Sequence, residues 1–386
     1  MQLEVRDAKW RLSVCALARP VGISFDAASW RHRLVEAMTL LGACFVTLML
    51  TATSAFADAP VGIAKSAPVS PDTARIELGR RLFFDKTLSA DGTMSCASCH
   101  NPDKAFTDGR QLARGIGNQI GTRNTPTVLN AASNVFQFWD GRRKRLEDQV
   151  LDPFLNPGEH GIAGPGELVR LVRDKSDSRE LITRAFGIAP DQLEAAHVAQ
   201  ALAAYIRTLD TTDSPFDRFL YAKQRDALAP HEVRGLELFR GRAQCASCHV
   251  IEEHSAPFAD GEFHSLAIGF ERIGARLPEL AKRVAGASRA ELDRMILSEP
   301  DVAALGRFAI TLDPRDIGKF KTPSLRNVAR TAPFMHDGSI ATLEEAVEHE
   351  IYYRSQSLGR PLILTPTERA ELIAFLRTLS GASNAR

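Results

Sequence analysis

The chain has 386 residues, 44% of them hydrophobic and 25% charged, with a formal net charge of +1. This is ordinary globular composition, with length for two modest domains. Near-neutral charge without a basic run argues against nucleic acid or a membrane surface as partner.

The first element is "MTLLGACFVTLMLTATSAFADAP" at Met38–Pro60. Arg31 and Arg33 precede an apolar run that ends in Ala55-Phe56-Ala57, the small-x-small pattern of an export signal cleaved after Ala57. A membrane anchor needs about 20 unbroken apolar residues, and the Thr/Ser-rich stretch from Thr51 interrupts the run. Leu41–Cys44 has the letters of a lipoprotein box, but its apolar core follows Cys44 instead of preceding it. Met1 and Met38 are both candidate starts. Residues 1–57 are read as leader and signal peptide and 58–71 as a linker, giving a periplasmic mature chain with no membrane span.

Cys-Ala-Ser-Cys-His stands at Cys96–His100 and again at Cys245–His249. Cys-x-x-Cys-His is the attachment pattern of c-type haem. Two thiols a helical turn apart reach the two vinyl groups, and the adjacent histidine binds iron from one side. A redox dithiol does not require the trailing histidine twice, and zinc wants four clustered ligands. Two covalently bound haem c groups are therefore expected, on Cys96, Cys99 and His100 and on Cys245, Cys248 and His249. Of the six cysteines, Cys15 and Cys44 fall in the leader, so none remains for a disulfide even though exported proteins favour them.

The duplication extends beyond the pentapeptide. "GRRLFF" (Gly79–Phe84) and "GLELF" (Gly235–Phe239) precede the two copies, and "AFTDG" (Ala105–Gly109) and "PFADG" (Pro257–Gly261) follow them. "TPTVLN" (Thr125–Asn130) matches "TPSLRN" (Thr322–Asn327), and "FWDGRRKRLE" (Phe138–Glu147) matches "MHDGSIATLE" (Met335–Glu344). One spacing of 197 residues separates Thr125 from Thr322 and Phe138 from Met335. Between the motifs the pattern is helical. Pro190–Leu209 has apolar residues at helical spacing, and Thr365–Leu379 opens with Thr365 and Glu368 as a capping box and Pro366 at the first helical position. The fold class is mainly α, with two cytochrome-c-like haem domains related by an internal repeat (72–225 and 226–386), joined near 222–230, the second carrying a longer insertion.

At the motifs "LGRRLFFDKTLS", "RNTPTVLN", "FWDG", "SPFDRFL" and "TPSLRNVARTAPFMHDG" the chain resembles the bacterial dihaem cytochrome c peroxidase and MauG family, from about Ile76 to Leu379. The resemblance implies that peroxide reacts at the first haem, that the second transfers electrons, and that calcium lies between them. It makes His100 and His249 the proximal iron ligands and Trp139 an electron relay. Asn124 by side chain, and Thr331 and Pro333 by carbonyl, are the implied calcium ligands. Oxygen donors suit that hard cation.

After "DGxxxxLE" the two units diverge. In the first, Gln149 and Pro153 resemble distal-pocket residues and Glu159 the acid–base glutamate, with His160 beside it as an assistant or an exposed loop residue. Proline cannot ligate iron, so the sixth position is open. A histidine that caps the resting haem in many of these peroxidases is replaced here by Ile116. In the second unit, Leu343, Ala346, Val347, Ile351 and Arg354 mark one helical face with Glu350 at its middle. By the 197 spacing Glu350 takes the place of Pro153, where peroxidases carry an axial Met and MauG-type enzymes an axial Tyr. Glu350 is an iron ligand on this reading, or else a buried acid paired with Arg326 or Arg354. Tyr353, His349 and Met335 are the other candidates.

The expected function is reduction of hydrogen peroxide to water with electrons from a small redox protein, a cytochrome c or cupredoxin. The alternatives are MauG-type oxidation of a protein tryptophan and a non-catalytic dihaem electron carrier. The chain is compatible with a homodimer.

Overall fold

The computed structural model describes residues 72–383, and over them the protein is mostly helical. The expected leader, cleavage site and linker lie outside the described residues. Seven helices position the sites: α1 (Thr73–Phe84), α2 (Ala195–Ile206), α3 (Pro230–Arg240), α4 (Leu277–Gly286), α5 (Arg289–Ser298), α6 (Leu343–Leu358) and α7 (Pro366–Arg377). The strands among the described residues are antiparallel two-residue ribbons, Thr211–Thr212 with Ala382–Ser383 and Phe263–His264 with Phe320–Lys321. No helix among the described residues is long and apolar enough to cross a membrane.

Local chemistry sets the helix ends. Asp72 accepts the Arg75 N–H and starts α1. The Thr365–Glu368 capping box opens α7 as the sequence predicts, each side chain bonding the other's backbone N–H at 2.8 and 3.2 Å. The helix expected over Pro190–Leu209 is instead two pieces, a 3₁₀ turn at Pro190–Gln192 and then α2. The break falls at Leu193 and Glu194, both in extended backbone, and Leu193 is buried in the core. Burial of that side chain outweighs the helical propensity of the surrounding sequence.

Three apolar clusters form among the described residues. The first joins α1, α2 and residues of the first motif region, with Leu78, Phe83, Phe106, Phe154 and Leu202. The second gathers Phe216, Phe239, Phe258 and Phe375 around α3 and α7. The third belongs to the segment around α4 and α5, with Ile273, Leu280, Val284, Ile296 and Phe308. That segment rests on the first motif region, where the Thr122 hydroxyl donates to Ile296 O at 2.7 Å and Arg143 bridges Asp293 and Asp152.

The helix pairs α1–α2 and α3–α7 meet through a glycine in each case. A Cβ on Gly79 would fall 1.9 Å from Ala201 O, and one on Gly235 would fall 2.1 Å from Glu371 O. Only glycine permits backbones so close. Asn130 and Asn327, both in left-handed backbone, donate to one hydroxyl, that of Thr211, at 2.7 and 2.8 Å. Phe138 and Met335 also share positive φ, and the bridges Gln137–Arg143 and Phe334–Ile340 close matching loops beneath them.

Candidate functional site

Each Cys-Ala-Ser-Cys-His segment forms a single tight turn that ends with the histidine N–H donating to the first cysteine's carbonyl, at 2.8 Å for His100 and 2.9 Å for His249. Nδ1 of His100 lies 3.1 Å from Phe106 O, and Nδ1 of His249 lies 2.9 Å from Phe258 O. A carbonyl only accepts, so Nδ1 carries the proton and Nε2 keeps its lone pair for a metal. Burial holds both imidazoles below the ordinary histidine value and so neutral. Phe106 and Phe258 have positive φ and buried rings, which aims their carbonyls at the histidines. The four cysteines of these segments form no disulfide among the described residues.

A cavity of about 660 Å³ opens beside His249 and is lined by Cys245, Cys248, His249, Trp139, Met335 and Glu350. Its size falls within the roughly 300–1,000 Å³ of cofactor pockets. Glu350 projects from α6, whose Leu343, Ala346 and Val347 are buried. The Glu350 charge acts on His249 and on Cys245, which places it at their cavity. Arg326, one proposed partner of Glu350, is instead bidentate to Asp217 at 3.0 Å and donates to Ala256 O. Arg354 reaches the Ser247 hydroxyl and the Cys248 sulfur. Among the alternative ligands, Tyr353 and Met335 line the cavity, whereas Nε2 of His349 is held at 3.0 Å by Leu266 O. The ring stacked on Phe320, at 3.6 Å, is that of His336.

At the first copy, Glu159 lies close enough to act on both Cys96 and Cys99, whose buried thiols are pushed up to about 12. Burial raises the Glu159 carboxyl above its ordinary value, against the pull of Asn156, which donates to Oε1 at 2.7 Å, and of the Arg142 charge. Ile116 N–H donates to Glu159 O at 2.9 Å, and Gly115 packs so tightly that a Cβ would lie 1.9 Å from Gly158 O. His160 is not an exposed loop residue. It is buried against Phe154, its Nδ1 has no partner among the described residues, and burial lowers its imidazole to about 4. Gln149 and Pro153 are half-buried on the same stretch, and Pro153 O accepts the His160 N–H.

Trp139 lines the large cavity and donates from Nε1 to Asn124 O at 3.0 Å. Asn124, Thr331 and Pro333 all line that cavity too. Asn124 donates from its Nδ2 to Arg110 O at 2.9 Å and to Gln111 O at 3.4 Å. Pro126 lines the cavity, and its backbone acts on His100.

The sequence reading missed several polar groups. Asp140, fully buried, would be raised by that burial, but Arg142 and Arg123 hold it below the ordinary value. Lys321 is buried on the cavity wall, with Nζ 3.4 Å from Thr322 O, and burial lowers it to about 8. Asp260 and His264 stand 2.7 Å apart beside Cys248. Asp260 lies within the quoted "PFADG" and Lys321 immediately before "TPSLRN", so position flagged both without giving a role.

A family model described as di-haem cytochrome c peroxidase matches residues 73–225. The methylamine utilization protein MauG of Methylorubrum extorquens is 34% identical over 322 residues, covering 82% of this chain and 80% of that protein. The chain belongs to the di-haem cytochrome c peroxidase and MauG family. The cytochrome c peroxidase Ccp of Escherichia coli is 33% identical over 326 residues, which is 82% of this chain but 62% of that protein. A crystal structure of a MauG-like protein associated with microbial copper homeostasis superposes with a TM-score of 0.66 at 32% identity, covering 85% of this chain and 95% of that one.

The family member is thus an oxidoreductase of the peroxidase type, with haem as its cofactor. The residues present fit that group. Beside His249 the cavity is mainly apolar, and its wall holds a buried Thr125 hydroxyl with no partner among the described residues and the buried Lys321 cation. An apolar macrocycle with anionic propionates complements both features.

Proposed function

We propose that the chain is an exported dihaem c-type cytochrome that reduces hydrogen peroxide to water with electrons from a small redox protein. In this reading two cytochrome-c-like units, related by an internal repeat, carry haem covalently on Cys96 and Cys99 and on Cys245 and Cys248. The repeat is supported by the paired glycine contacts of Gly79 and Gly235 and by the asparagine pair on Thr211. His100 and His249 are the proximal ligands, and Asn124, Thr331 and Pro333 hold calcium.

The observation that carries the reading is Glu159. Its half-buried carboxyl has a raised proton affinity and is steadied by Asn156 beside the first pair of cysteines. When bound there, haem supplies the redox-active iron to which peroxide binds. Glu159 accepts the proton of one peroxide oxygen and returns it to the other, which makes the departing oxygen water rather than hydroxide. Neutral His160, buried beside it, adds no competing positive charge. Ile116 and Pro153 carry no donor atom that could ligate an iron held by His100.

The test is consumption of hydrogen peroxide by the purified dihaem protein with a reduced small cytochrome as donor. Two equivalents of donor should be oxidised for each peroxide. Peroxide loss without donor oxidation rules the reading out in favour of the MauG-type one, and no peroxide loss at all leaves a plain electron carrier. The MauG-type reading is favoured by one observation, Glu350 lining the cavity beside His249, at the position where the family resemblance implies methionine in a peroxidase. An anionic ligand there lowers the potential and suits oxidation of a protein tryptophan.

A further inference from the structure

We propose that Tyr353 and Tyr352 form an electron path from the cavity beside His249 to the protein surface, with Tyr352 as the point where one-electron donors are oxidised. The proposal rests on the peroxide-reducing reading above. Tyr353 lines the cavity that also contains His249 and Glu350. Its ring leans on His349 at 4.6 Å, and Nε2 of His349 is tied to Leu266 O, so the ring is braced from α6 itself. Tyr352 meets Tyr353 edge-on, with centroids 5.1 Å apart and an interplanar angle of 82°. Aromatic rings at this separation are in direct contact. Tyr352 is 61% exposed, one of the few large apolar side chains so open among the described residues. An exposed ring contributes little to packing, so its placement one contact away from a cavity-lining phenol needs another reason.

The chemistry balances with hydrogen peroxide as the oxidant. Reduction of one peroxide to two waters takes two electrons and two protons. In each of two transits Tyr353 gives an electron and its O–H proton toward the cavity, and is restored by an electron from Tyr352 and a proton from water. Tyr352 breaks its O–H bond, sends the proton to solvent and becomes a neutral phenoxyl radical. A donor at the surface then returns one electron, and solvent returns the proton. The donors served are one-electron reductants too large for the cavity, whether a phenolic compound or a redox protein.

The experiment treats the dihaem holoprotein with peroxide and a nitroso spin trap, without other donor, and maps the trapped adduct by peptide mass spectrometry. The adduct is expected on Tyr352. Tyr352→Phe keeps the ring and its contact but removes the O–H, and should lose the adduct with an unchanged haem spectrum. Tyr353→Phe should lose the adduct on Tyr352 as well, because the path is cut upstream. An adduct on Tyr352 that persists in Tyr353→Phe overturns the proposal, since oxidation then comes from solution. A shifted resting haem spectrum in Tyr353→Phe also overturns it, making that residue an iron ligand. Peroxide consumed with no adduct on Tyr352 defeats the path alone. No peroxide consumption with any donor defeats the parent reading and the path together.

Discussion

The backbone N–H of Ile116 is hydrogen-bonded to the carbonyl of Glu159 at 2.9 Å, and the Ile116 side chain fills the space over Gly161. The loop that would carry a capping histidine is thus pinned to the acid loop, and its side chain is an alkyl group without a lone pair. The fully ferric protein should therefore react with peroxide at once, with no priming electron. Stopped-flow absorbance after mixing ferric protein with peroxide checks this. Ile116→His should slow the ferric reaction by restoring a ligand, and a wild-type protein that waits for one electron would refute the argument.

Glu159→Gln keeps the shape and the bond from Asn156 but removes the proton acceptor. The rate with peroxide should fall by about 10²-fold or more, while haem content per chain stays the same. The raised carboxyl also sets a pH dependence. Its ionised form is the active one, so the wild-type rate should decline as pH falls through a value above the ordinary 4.5. The stability sign is opposite. A carboxyl that binds its proton more tightly when folded favours the fold at low pH, and that contribution is lost as pH rises from the unfolded value through the folded one. Gln at this position should abolish both effects.

Part of this site was legible because its pattern is local in the chain. Cys-x-x-Cys-His leaves little freedom, and the left-handed backbone at Phe106 and Phe258 follows each copy at a short distance. The capping box at Thr365 is equally local. What stayed hidden depends on contacts across the chain. Nothing near His160 in sequence announces that Phe154 covers its ring, and the Asp217–Arg326 pair joins positions far apart. The break at Leu193 was hidden because a buried leucine and a helical leucine have the same letter.

Asp217 and Arg326 are both almost fully buried, with two contacts of 3.0 Å. Asp217 also accepts from Ser214, and Arg326 donates to Ala256 O next to the segment that presents Phe258 O to His249. Removing one partner strands the other charge, at a cost of about 3–5 kcal/mol. Asp217→Ala should lower the denaturant midpoint of the holoprotein by an amount of that order and broaden the spectrum of the second haem. Replacing both residues by apolar side chains of similar volume should restore much of the stability but not the spectrum. A single variant as stable as wild type would show that the pair is dispensable.

Glu350 distinguishes the second centre from the first. It faces the cavity from α6, its charge acts on His249, and Arg326 is committed to Asp217. We propose that Glu350 is the sixth ligand of the second haem. A thioether raises haem potential, whereas an anionic oxygen stabilises the ferric state. Glu350→Met should therefore raise the potential of that haem and speed turnover with a reduced cytochrome. Glu350→Ala should open the site and convert its spectrum to high spin, provided that Tyr353 and Met335, which share the cavity, do not move in. The double variants Glu350→Ala with Tyr353→Phe or with Met335→Leu separate those replacements by their charge-transfer bands. If Glu350 were merely a buried acid, Glu350→Ala would change stability and leave the spectrum alone. Unchanged spectra and potentials in both Glu350→Met and Glu350→Ala would remove Glu350 from the iron and with it the main argument for a MauG-type chemistry.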